Sequence, residues 1–174
     1  MTTGEETETG RVPTGERADL LRTLAKHRGF LRHTVRDLTD EQAARRTTVS
    51  ELCLGGLIKH VASMERTWAR FMVGGVEAMR SGRGDWAEQF RMAEGETLAG
   101  LLDDYERAAR ATDELVATLP DLDASRALPE TPWFEPGERW SMRRVVLHVI
   151  AETAQHAGHA DIIREALDGA RTMG

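Results

Sequence analysis

Apolar residues recur at three- and four-residue steps along four stretches of this chain, with polar residues filling the positions between them. That period places the apolar set on one face of a helix. The first stretch runs from about Glu16 to Leu38 and aligns Leu20, Leu24, His27, Leu31, Val35 and Leu38. The second opens near Ser50 and carries Leu57, His60, Val61, Met64, Trp68 and Phe71 to about Val73, where Gly74-Gly75 is a plausible stop. The third spans about Thr97 to Leu119, with Leu98, Leu101, Tyr105, Ala108, Thr112, Leu115 and Leu119 on one side. The fourth starts after Trp140, with Ser141 as N-cap, and runs to about Leu167, short of Gly169.

Between these stretches the period breaks. Thr39 precedes DEQAARR, a short turn of helix with an acidic start. VEAMRSGRGDWAEQFRMAEGE reads as a mixed connection with one short helix around Trp86–Met92. LPDLDASRALPETPWFEPGERW is too broken by proline for a helix. Almost nothing reads as strand. Four amphipathic helices, each with one apolar face, predict an all-α four-helix bundle with a long connection between the second and third long helices. Residues 1–14, rich in Thr, Glu and Gly, are expected to be a disordered tail, leaving 15–170 as a single domain.

Composition narrows the partners. A net charge of −6 argues against nucleic acid. No apolar run is long enough to span a membrane, and the N-terminal stretch lacks the apolar centre of a signal peptide, so a cytoplasmic protein is expected. The single Cys53 excludes an intramolecular disulfide and a cysteine zinc cluster. Any metal would be held by histidine and carboxylate. With 21 Arg against 2 Lys, and with abundant Ala and Gly, the composition points to a GC-rich genome.

Within the fourth stretch, LHVIAETAQHAGHADIIREA places His148, Glu152, His156 and His159 on one helix. Residues four apart lie about one turn, roughly 6 Å, apart on the same face. Glu152 with His156, or His148 with Glu152, therefore suits one ion, whereas His148 with His156 spans about 11 Å along the axis and does not. A third ligand has to come from another helix, since catalytic zinc usually takes three from protein. His60, within an apolar stripe, is the candidate. Spacing alone leaves open that these histidines are hydrogen-bonded core residues. His27 falls on a core stripe and is read as pocket lining or buried structure. His33 is read as solvated.

ELCLGGLIKHVASMERTW and LHVIAETAQHAGHADIIRE resemble the DinB-like superfamily, and within it the actinobacterial mini-circle type, over about Glu16 to Leu167. The resemblance implies a metal-binding histidine in the second long helix, here His60. In the last long helix it implies a ligand, three residues, then a histidine followed by x-Gly, here His156-Ala157-Gly158. The earlier ligand then falls on Glu152, where histidine is more usual; relatives of the mycothiol-dependent maleylpyruvate isomerase type also carry Glu there. His148 becomes pocket lining, and His159 a residue of the open side or a base. The implied activity is that of a thiol S-transferase. A divalent metal, most often zinc (nickel or others are possible), activates a low-molecular-weight thiol as a thiolate for conjugation to, or isomerisation of, an electrophile. The GC-rich composition favours mycothiol over bacillithiol as that thiol. Trp68, Trp133, Phe134 and Trp140 are candidates to wall the cavity, and Arg143 and Arg144 to meet an anionic substrate. Family habit also implies a homodimer. The alternatives are a metal-dependent hydrolase and a non-catalytic bundle that binds a small molecule.

Overall fold

The computed structural model describes residues 13–81 and 87–172. Four long helices form the body: α1 (Glu16–Thr34), α3 (Leu54–Arg80), α4 (Leu98–Thr118) and α5 (Met142–Asp168). The short α2 (Asp40–Ala44) follows α1, and a 3-10 turn at Ala87–Phe90 lies in the connection from α3 to α4. The proline-broken connection before α5 holds a small antiparallel pair, β1 (Ser125–Ala127) and β2 (Arg139–Ser141), in register Arg126 to Trp140. Among the described residues the fold is thus all-α apart from one two-stranded ribbon. Of the expected helix around Trp86–Met92, Trp86 falls outside the described residues, Ala87–Phe90 is the 3-10 turn, and Arg91 and Met92 are not helical.

Three boundaries differ from the periodic reading. α1 ends at Thr34 rather than Leu38 because buried Arg164 of α5 donates to the carbonyls of Thr34 and Arg36, both at 2.8 Å. Asp37 then turns the chain with φ 58. α3 starts at Leu54, not Ser50, because Cys53 takes the N-cap position and accepts from the Gly56 amide. Gly75 breaks α3 as anticipated, with φ 67, yet helix resumes beyond it to Arg80. Arg126 of β1 stabilises the break by donating to Met72 O at 3.0 Å and Val73 O at 2.6 Å, carbonyls whose helical partners are lost there. Ser141 caps α5 as expected by accepting from the Arg144 amide at 3.1 Å, and Gly169 ends it with φ 79.

The core divides in two. At one end Leu20, Leu24, Phe71, Met72, Val145 and Val149 pack together; at the other, Leu31, Leu57, Ile58, Val61, Ala160 and Ile163 do. A buried polar layer lies at the sequence positions between the two sets. Arg28 of α1 forms an ion pair with Glu65 of α3, donating through Nε to Oε2 at 3.2 Å, and reaches Asp113 of α4 at 2.8 Å. Burial beside Glu65 pushes the Tyr105 hydroxyl well above its ordinary pKa. Thr112 and Thr153, also buried, turn their hydroxyls back to the Ala108 and Val149 carbonyls of their own helices. The periodic reading put His27 on the inner face of α1. Arg28 takes that place, and His27 is half-buried against Phe30. A charged residue scores as outward in any hydrophobic pattern, so only its partner on another helix reveals it.

Glu65→Ala leaves the Arg28 guanidinium buried with only Asp113, which is half exposed. The expected loss is about 3 kcal/mol of unfolding free energy, read as a lowered urea midpoint. The double substitution Arg28→Met with Glu65→Leu should recover most of it, since it removes the stranded charge rather than creating one.

Candidate metal centre

The site lies where α3 and α5 face one another. His60 and His156 are buried and Glu152 is half-buried. One ligand atom from each of the three lies within 4.8 Å of the others. His156 Nε2 stands 3.6 Å from Glu152 Oε2. Two donors on a tetrahedral ion with bonds of about 2.1 Å are roughly 3.4 Å apart, so this pair is already near ligating separation. The His60 and His156 rings meet edge to face with centroids 4.7 Å apart. Two imidazoles and a carboxylate converge on one point, a donor set that suits a divalent ion.

The protonation states fit as well. Burial, aided by His156, holds His60 well below an ordinary imidazole, at about 4, against the opposing pull of Glu152 and Gln89. At neutral pH it is therefore the neutral base that a metal requires. The hydrogen bond from His156 holds Glu152 below the usual carboxylate range, against burial, with His148 and His60 adding to the effect.

The connection between α3 and α4 presses on this site. Phe90 stacks on the His60 ring with centroids 4.2 Å apart, and the Gln89 side chain hydrogen-bonds to His60. Both depend on the pair of glycines that opens α3. A Cβ at Gly56 would sit 1.9 Å from the Phe90 carbonyl oxygen, and one at Gly55 would sit 2.2 Å from the Met92 sulfur. The Cys53 thiol also points at Phe90 O, at 3.7 Å. The glycines in CLGGLIKH thus seat a distant backbone segment against the helix one turn before His60. The sequence signal was a Gly-Gly pair inside a helical stretch, where each glycine costs about 1 kcal/mol relative to alanine.

The remaining candidates separate. His159 is half-buried and meets His156, Nδ1 to Nδ1, at 3.4 Å. His148 is not among the three converging residues. It stands edge-on to Trp68 and Trp140, at 4.8 and 5.0 Å, and burial lowers its pKa. Trp68 and Trp140 stack at 5.0 Å, with Phe134 edge-on to Trp140 at 5.5 Å. Trp133 belongs to no such wall: it is 75% exposed, so its place among the wall candidates is a correction. Arg143 is taken up by Glu16 and Asp123, tying the start of α5 to α1, whereas Arg144 is exposed and lies over the Trp140 ring at 4.9 Å. His33 is exposed.

The family described as Mycothiol-S-transferase matches residues 19–169, a span that includes all of these residues. The chain belongs to the mycothiol S-transferase family, a DinB-like family. Among curated proteins, none matches in sequence. Among solved structures the chain is similar to a conserved protein from Enterococcus faecalis, with a TM-score of 0.70 and 14% identity over 91% of this chain and 100% of that one. At that identity the likeness speaks for the bundle alone. Membership of the mycothiol S-transferase family supports S-transferase chemistry at the family level, and no helix among the described residues is long and apolar enough to cross a membrane.

Two predictions come from this geometry. Gly56→Ala should cost about 1–3 kcal/mol, because the Phe90 carbonyl has to move away from the added methyl. NMR should show the His60 ring protons losing the upfield shift that a stacked phenyl ring produces. The second concerns pH. In the unfolded chain His60 takes a proton at its ordinary value near 6.5, but in the folded chain only near 4. Between those values the unfolded state binds more protons, so stability is full above about pH 6.5 and falls as pH drops toward 4. His148 contributes with the same sign. In metal-free protein, denaturation midpoints measured across this window should fall less for His60→Asn than for the parent chain.

Proposed function

We propose that the chain is a divalent-metal-dependent thiol S-transferase, with mycothiol as the thiol and zinc as the most suitable ion. The observation that carries this reading is the convergence of His60, Glu152 and His156 between α3 and α5 in a chain of the mycothiol S-transferase family. A divalent ion held by these three residues supplies the acidity that makes a neighbouring thiol nucleophilic at neutral pH.

The chain's own groups supply the rest. His60 offers a neutral imidazole nitrogen and Glu152 an ionised carboxylate, with the His156 ring beside them. Phe90, stacked on the His60 ring, covers one face of the site from water. His159, beside His156, is assigned the thiol proton. The sulfur then forms its bond to the electrophilic carbon. The electron pair released there stays on the acceptor, which takes up a proton after addition, or departs with a leaving group. His148, edge-on to both tryptophans and one turn from Glu152, lines the path by which the electrophile approaches.

Purified protein should carry one equivalent of divalent metal by elemental analysis. His156→Ala and Glu152→Ala should each abolish retention, while His159→Ala retains the ion and loses mycothiol conjugation to a generic electrophile. Mycothiol should raise the melting temperature of the metal-loaded chain and leave His156→Ala unmoved. Metal-free protein from a metal-replete culture would sink the reading.

A further inference from the structure

We infer that Gln89 is a positioning residue that sets the tautomer of His60. Its carboxamide oxygen accepts the proton of one ring nitrogen and so leaves the other as a bare lone pair for an ion. The consequence for metal binding rests on the proposed function, whereas the contact between the two side chains belongs to the chain itself.

A neutral imidazole carries one proton on two nitrogens, and only the bare nitrogen can ligate. What the other nitrogen meets decides which of them that is. The His156 ring is oriented from its own helix: Nε2 stands 3.6 Å from Glu152 Oε2, and Nδ1 stands 3.4 Å from His159 Nδ1. For His60 a partner comes from a different segment. Gln89, half-buried in the 3-10 turn before α4, hydrogen-bonds to the ring. That bond favours the protonated ring, as an acceptor does and a donor to the ring would not.

The stack with Phe90 cannot do this work alone. Its rings lie 4.2 Å apart with planes 25° from parallel, which fixes the plane of the His60 ring. A half-turn of the ring within that plane leaves the stack unaltered, yet exchanges each nitrogen with a carbon. A polar group at the ring edge is needed to choose between the two, and Gln89 supplies it. Its own place is fixed from both sides. Next to it, the Phe90 carbonyl fills the space left by the missing Cβ of Gly56 and faces Cys53 Sγ at 3.7 Å. Further along, Lys59, the residue before His60, donates to Arg91 O at 3.3 Å and pairs with Glu96 at 2.8 Å. Glu96 in turn accepts from the Ala93 amide at 2.7 Å. The segment from Gln89 to Glu96 is thus fastened to the turns of α3 that carry His60, and the carboxamide is held at the ring edge.

Two variants separate this role from mere packing. Gln89→Met keeps the length of the side chain and removes the acceptor, while Gln89→Glu keeps an acceptor. In metal-free protein near neutral pH, 15N NMR of the imidazole rings reads the tautomer directly. The parent chain and Gln89→Glu should each show one tautomer of His60, and Gln89→Met a mixture of two. Zinc affinity, measured by competition with a chelator, should fall roughly 10–100-fold in Gln89→Met and be retained in Gln89→Glu. The melting temperature of metal-free Gln89→Met should stay close to that of the parent, because the packing is kept. A parent ring divided between tautomers would overturn the proposal. So would a Gln89→Met chain with the tautomer and zinc affinity of the parent, or a Gln89→Glu chain that behaves like Gln89→Met. If the parent binds no zinc, the metal reading falls on that result alone, and the tautomer measurement still decides whether Gln89 sets the ring.

Discussion

A buried charge must find its partner or the fold does not close, and the Arg28–Glu65 pair imposes that condition on this bundle. Hydrophobic packing between helices is permissive: ridges can slide by a turn at modest cost. An ion pair with both members almost fully buried is not. Its two fixed contacts, extended by Asp113, hold α1, α3 and α4 to one another at a single level. The apolar core is consequently split into an upper and a lower part with a polar layer between them. Its value to the molecule is register rather than net stability, since a well-packed apolar layer would hold the helices at least as strongly.

The candidate metal centre inherits that register. His60 lies five residues before Glu65 on α3, and Glu152 immediately precedes the buried Thr153 on α5. Sliding α3 by one turn would carry His60 about 5.4 Å from His156 and dissolve the cluster. A second constraint fixes the rotation of the site. The glycine pair at the start of α3 lets the chain before α4 lie directly on the helix, which brings Phe90 over one face of His60. Position along the helix comes from a salt bridge, and orientation of the ring comes from a close backbone contact. Neither residue set touches the point where an ion would sit. Together they make the geometry on which the proposed S-transferase chemistry depends.

Much of the architecture was legible in the chain. The helical period alone located four long helices, though it ended α3 seven residues short of Arg80, and the caps Ser141 and Gly169 act where their residue types suggested. Boundaries failed where another element intervened: Arg164 ends α1 early, and Arg126 lets α3 continue past Gly75. His27 was read as inward because imidazole counts as half-apolar, when Arg28 beside it was the inward residue. Trp133 was grouped with the other aromatics by composition, yet it projects into solvent. At the site, helix geometry reduced four candidate ligands to two possible pairs and could go no further, because both pairs satisfy the same spacing.

The sequence by itself determined which residues share a helix face, because that depends only on the fixed rise and twist of the backbone and on local capping chemistry. It therefore determined that His148, Glu152, His156 and His159 lie along one helix and that His60 faces inward on another. Only the tertiary structure decided that His60 meets His156 and Glu152, that His148 belongs to the tryptophans, and that a glycine pair seats Phe90 over the ring. Those are distances between segments far apart in the chain. They are set by ion pairs and close contacts across helices, which no periodicity along a single helix encodes.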